Sequence, residues 1–144
     1  MGPPQRLLFA RAKGAHLLIV DDDVMVRALA AGLLEQMGAH CESVATGAEA
    51  SAAVVRAAAS GTPVDVVLLD QHLWQETGQE VCQRLRAEGF EASIVAMSGD
   101  GFTVDGLREA GFDAGLNKPF SAQDLHACVE SHVGRKHGGY IETA

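Results

Sequence analysis

A chain of 144 residues, 47% apolar and 21% charged, has the size and balance of one globular domain with a real core. Its formal net charge of −8 repels phosphate backbones and argues against nucleic-acid binding by this domain. No apolar run reaches the roughly 18 residues of a membrane span, so no membrane contact is expected.

The elements follow in chain order. Residues 1–14 read as a flexible N-terminal arm whose apolar stretch is too short for a signal peptide. His16–Val20 is a short apolar run, the pattern of a buried strand. From Val24, apolar residues at Val26, Leu29, Ala30, Leu33 and Met37 mark an amphipathic helix closed by Gly38. His40–Val44 alternates like a half-buried strand. Thr46 and Glu49 form a capping box that opens an Ala-rich helix to about Ala59, broken by Gly61 and Pro63.

Val64–Leu69 is the clearest buried strand. A helix over about Gly78–Ala87 turns Val81, Cys82 and Leu85 inward. Ala92–Met97 is a fourth strand, Thr103–Ala110 a short helix ended by Gly111, and Ala114–Asn117 a short fifth strand. Ser121 and Asp124 open a last helix with Leu125, Cys128, Val129 and Val133 on one face. The domain is expected over 15–134, with a tail over 135–144. Cys41, Cys82 and Cys128 are odd in number and lack a CxxC, so they read as free thiols in a reducing cytoplasm.

Five strands alternating with five helices predict an α/β fold: a doubly wound, five-stranded parallel sheet in the flavodoxin-like order 2-1-3-4-5. Ligands in such sheets bind outside the carboxyl ends of the strands, at the switch point. Asp21-Asp22-Asp23, Asp70, Ser98 and Lys118-Pro119 all stand at such ends.

Clustered carboxylates repel unless a cation joins them, and an all-oxygen donor set suits Mg²⁺. Lys118 can pair with a phosphoryl oxygen or a carboxylate, Ser98 can donate a hydroxyl proton, and a carboxylate can attack phosphorus. Phosphoryl transfer needs chiefly positioning and charge neutralisation, which this set supplies. Taken singly, each residue also has a plain structural reading. Asp22 or Asp23 can cap the following helix, and Asp70 or Ser98 can be turn residues.

Four segments in this order resemble the receiver domains of two-component signalling: Leu18–Asp23, Val66–Asp70 with Gly78 eight residues on, Val95–Gly99, and Asn117–Phe120. The likeness covers about 15–134. It implies that Asp70 accepts a phosphoryl group from a histidine kinase or a histidine phosphotransfer domain. It also implies Mg²⁺ held by Asp70, Asp22 directly, Asp21 through water, and the main-chain carbonyl of His72. Ser98 and Lys118 are expected to hold the phosphoryl oxygens, and the Lys118–Pro119 bond to be cis. Such a protein catalyses only its own phosphorylation and dephosphorylation, in the cytoplasm, and a homodimer is left open.

Three departures from the family pattern stand out. Trp74 replaces a common proline, which predicts a less rigid loop. His72 and Asp100 occupy positions that either touch attacking water or face solvent. Gly115 lacks the aromatic side chain that many receivers swing inward, so the output lies in another nearby element, or the domain only passes phosphate along in a relay or hybrid kinase. Two alternatives compete: a degenerate receiver acting as a binding module, and a Mg²⁺-dependent phosphohydrolase with Asp21 as nucleophile.

Overall fold

The computed structural model describes residues 10–137 and 142–143. Strands β1 (His16–Val20), β2 (His40–Val44), β3 (Val66–Asp70), β6 (Ser93–Ser98) and β7 (Ala114–Asn117) alternate with helices α1 (Val24–Glu35), α2 (Gly47–Ala59), α3 (Gly78–Ala87), α4 (Val104–Ala110) and α5 (Ala122–His132). A short hairpin, β4 (His72–Leu73) and β5 (Glu76–Thr77), stands between β3 and α3, and β8 (Glu142–Thr143) follows α5. The main sheet runs β2-β1-β3-β6-β7-β8, all parallel. The five main strands therefore take the expected order, and the tail adds a sixth at the β7 edge.

The strand sequences are apolar on consecutive residues because helices cover both sheet faces. One face places Leu17, Ile19, Leu68 and Met97 against Ala30 and Leu34 of α1 and Leu125 and Val129 of α5. The other places Leu18, Val20, Leu69 and Ala96 against α2, α3 and α4 through Ala53, Val81, Leu85 and Leu107. Ser, Thr and Asp side chains cap every helix: Asp23, Thr46, Thr77, Thr103 and Ser121 each accept a first-turn amide. No helix of the described residues is long and apolar enough to cross a membrane.

Two details differ from the sequence reading. In α1 the inward stripe is Ala30, Leu34 and, past the helix end, Met37, while Leu29 is exposed. Apolar residues surround the start of this helix, so periodicity alone cannot choose the stripe. Trp74 and Gln75 link the two strands of the β4–β5 hairpin, with Gln75 at φ 68 and Trp74 exposed. At the arm, residues 10–13 form a turn whose Arg11 and Ala12 amides donate to the Glu130 carboxylate on α5, and Ala12 is fully buried. The rest of the arm lies outside the described residues.

Candidate functional site

The chain leaves β1 at Asp21 and β3 at Asp70, and these strands are neighbours, with Val20 opposite Leu69. Their carboxylates thus meet at the carboxyl edge of the sheet. Asp21 is fully buried and Asp70 nearly so, whereas Asp22 is exposed. Carboxylate oxygens of Asp21, Asp22 and Asp70 lie within 4.8 Å of one another.

Lys118 enters from the end of β7. Its Nζ lies 2.6 Å from Asp21 Oδ2 and 3.3 Å from Asp70 Oδ1. Its backbone amide donates to the Ser98 carbonyl at 2.8 Å, and the following peptide to Pro119 is cis, as expected. Asp23 turns away to cap α1, accepting the Met25 amide, while its own amide donates to Asp21 Oδ1 at 2.9 Å. Both Asp21 oxygens are therefore engaged. The His72 amide donates to Asp70 Oδ1 at 3.3 Å.

The charges do not balance. Three carboxylates face one ammonium. Burial, then the nearby charge of Asp21, holds the Asp70 carboxyl above its ordinary value, and the His72 amide and Lys118 do not cancel that effect. Burial works against the Lys118 charge, but its contacts with Asp21 and Asp70 outweigh it and hold the ammonium above its ordinary value. A divalent cation bound by oxygen supplies the missing positive charge, so this donor set fits Mg²⁺.

Ser98 is fully buried at the end of β6, one residue beyond Met97, the register partner of Asp70. Its hydroxyl donates to the Gly101 carbonyl at 3.1 Å and accepts the Asp100 amide at 3.1 Å. The structure thus joins Asp21, Asp22, Asp70 and Lys118 directly, while the Ser98 hydroxyl is committed to its own loop. His72 Nε2 and Asp100 Oδ2 pair at 3.0 Å, both side chains well exposed.

One residue escaped the sequence reading, and for Gly78, which was part of the motif, the contact it makes did. Arg27, one helical turn into α1, donates from Nη1 to the Asp21 carbonyl at 2.8 Å. Gly78 packs its Cα against the end of β3: an added Cβ would collide with the Asp70 carbonyl and come within 2.8 Å of Gln71 Cα. A glycine at a helix start after a strand is the only trace such contact leaves in sequence.

Fold and site together define a doubly wound sheet with an acidic, lysine-bridged cluster at its switch point. The profile of the response regulator receiver domain matches residues 17–130, and the chain belongs to that family of two-component signalling domains. It is 36% identical over 121 residues to the transcriptional regulatory protein TcrA of Mycobacterium tuberculosis, covering 81% of this chain but 45% of that protein. It is 32% identical to the two-component response regulator ORR41 of Oryza sativa subsp. japonica, over 78% of this chain and 90% of that one. The chain therefore spans about half the length of TcrA and most of ORR41. Among solved structures, the Vibrio cholerae chemotaxis protein CheY4 superposes with a TM-score of 0.73 at 24% identity, over 83% of this chain and 99% of that one. A receiver domain from Methylobacillus flagellatus gives 0.68 at 26% identity, over 83% and 98%.

Proposed function

We propose that Asp70 accepts a phosphoryl group from a phosphohistidine on a partner kinase or phosphotransfer domain. The observation that carries this is the Lys118 ammonium bridging Asp21 and Asp70 inside a cluster of three carboxylates. In the transfer, an Asp70 carboxylate oxygen bonds to phosphorus as the phosphorus–nitrogen bond breaks. The leaving imidazole keeps the electron pair and takes up a proton from solvent.

Asp21, Asp22, Asp70 and the His72 main-chain carbonyl are the groups to hold Mg²⁺, which when bound neutralises charge on the phosphoryl oxygens. Lys118 exchanges its contact with Asp70 for one with a phosphoryl oxygen. Ser98 donates its hydroxyl proton to another, giving up the Gly101 carbonyl. Water later cleaves the acyl phosphate, so the domain catalyses only its own loading and unloading.

A phosphohydrolase using Asp21 as nucleophile fits less well, because Asp21 is fully buried whereas Asp70 keeps some exposure to an incoming phosphoryl group. A degenerate binding module has no use for a buried charge cluster of this kind.

The donor is taken to dock on α1. Val24, Met25 and Leu29 expose their apolar side chains on this helix, which begins immediately beyond the acidic cluster. Such a face suits an apolar helix of the partner carrying the phosphohistidine.

The decisive experiment is incubation with Mg²⁺ and acetyl phosphate, followed by intact mass. One phosphate is expected on the native chain and none on Asp70→Asn. Phosphate retained by Asp70→Asn overturns the assignment. Met25→Glu should slow transfer from the partner's phosphohistidine about tenfold, the rate equivalent of ~1.4 kcal/mol, yet leave acetyl phosphate labelling unchanged. Equal loss with both donors would refute the α1 docking face.

A further inference from the structure

Gly115 is buried in β7 opposite Ala96 of β6, on the sheet face that α4 covers. The space that a side chain would fill there is taken. An ideal Cβ on Gly115 would lie 2.6 Å from Phe102 Cζ and 2.7 Å from both Cε1 and Cε2. These are the three atoms at the tip of the ring, so Phe102 stands tip-first on the Gly115 backbone. Phe102 belongs to the loop between β6 and α4, packs against the core on the α4 side, and is half-buried. The missing side chain of one strand is thus replaced by an aromatic ring from the neighbouring loop.

That ring is mechanically tied to Ser98. The Ser98 hydroxyl carries one proton and gives it to the Gly101 carbonyl. The Gly101 carbonyl and the Phe102 amide belong to one planar peptide unit, so a carbonyl that rotates takes the Phe102 backbone with it. Gly99 and Gly101 flank the turn, Gly101 at φ 83, and a Cβ added at either would meet nothing within 4 Å, so no side chain at these two positions restrains the peptide between Gly101 and Phe102. On the far side, Thr103 caps α4 through the Gly106 amide at 3.0 Å. A change at Phe102 therefore reaches the first turn of α4 through one residue.

We propose that Phe102 seated on Gly115 is the transmitter of this domain. When Ser98 gives its proton to a phosphoryl oxygen, the freed Gly101 peptide turns, Phe102 shifts on the Gly115 seat, and the N-terminal turn of α4 moves with it. This rests on the phosphoryl-binding role of Ser98 proposed above. It makes the loop and the start of α4, rather than a side chain on β7, the surface that differs between the two states.

The test is backbone amide NMR of the full chain with Mg²⁺, before and after beryllofluoride, a mimic of the acyl phosphate. In the native protein the amides of residues 70–72 and of residues 103–107 should both shift. Phe102→Ala should keep the shifts at 70–72 and lose most of those at 103–107; Phe102→Leu serves if the alanine variant is poorly dispersed. Gly115→Ala should unseat the ring and displace the 103–107 resonances without any ligand. A Phe102→Ala spectrum with an undiminished response at 103–107 overturns the transmitter role, as does a native response confined to 70–72. A native protein in which neither region responds overturns the phosphoryl-site reading itself, and the coupling with it.

Discussion

At the scale of single residues, the site is under-neutralised, and this has a thermodynamic sign. Asp70 in the fold holds its proton above the ordinary carboxylate value of 3.8, because of burial and then Asp21. The folded chain consequently binds more protons there than the unfolded chain. Its contribution to stability is present at low pH and is lost as pH rises from 3.8 through the raised folded value. At neutral pH the ionised group opposes folding. Asp70→Asn should therefore raise the melting temperature of the metal-free protein at pH 7, by about 3 °C for each kcal/mol of repulsion relieved. The gain should vanish in acid, where both forms are neutral. A calorimetric scan in chelator showing a lower melting temperature for Asp70→Asn would contradict the charge imbalance. Cys82 is a second buried titratable group whose surroundings disfavour its charged form. Burial, with Asp113 adding to it and Arg86 opposing, pushes its thiol up to about 12, so it packs as an apolar side chain.

At the scale of elements, the strand ends are positioned by contacts made by the helices that follow them. Asp21 accepts the amide of the Asp23 cap, so the start of α1 and the buried carboxylate are set by one turn. Gly78 does the same for β3, since the first residue of α3 rests on the Asp70 peptide. Gly78→Ala would push α3 away from the end of β3. The expected loss is about 1–3 kcal/mol from overpacking, with Mg²⁺ affinity reduced in the fraction that remains folded. Urea unfolding together with Mg²⁺ titration checks it; native values in both would show that the contact relaxes without consequence.

At the scale of the whole molecule, one buried carboxylate joins the sheet to the C-terminal segment. Asp113 accepts from Arg86 Nη2 at 2.6 Å and from the Ile94 amide at 2.9 Å, and its Oδ1 lies 2.8 Å from His137 Nδ1. The same Arg86 donates to the carbonyls of Phe90, Ala92 and Gly111. Helix α3, strand β6 and the residues after α5 thus share a single polar node. Asp113→Ala leaves the Arg86 guanidinium without its carboxylate partner in a largely buried place. Because Arg86 keeps its carbonyl partners while the Ile94 amide loses its acceptor, it should cost about 1–3 kcal/mol, the range for leaving a buried polar group unsatisfied. A denaturant midpoint within error of the native protein would show that the node is dispensable.

Much of this protein was legible in its sequence because the signals are local. Apolar runs, helix periods, capping residues and glycine stops placed the main elements within a few residues, and alternation of strand and helix implied a parallel sheet whose layout matched the flavodoxin-like order. Asp21, Asp22, Asp70 and Lys118 could be gathered before any coordinates, because in a doubly wound sheet every strand carboxyl end faces the same edge. What the tertiary structure alone decided depends on contacts between residues far apart in the chain. Both faces of α1 are apolar at its start, so only packing chose Leu34 over Leu29. Gly115 is empty in sequence but filled in space, because a ring from another loop occupies the volume that the strand residue leaves. A glycine in a buried strand signals a close approach; which atoms approach is set by how the loop closes over it.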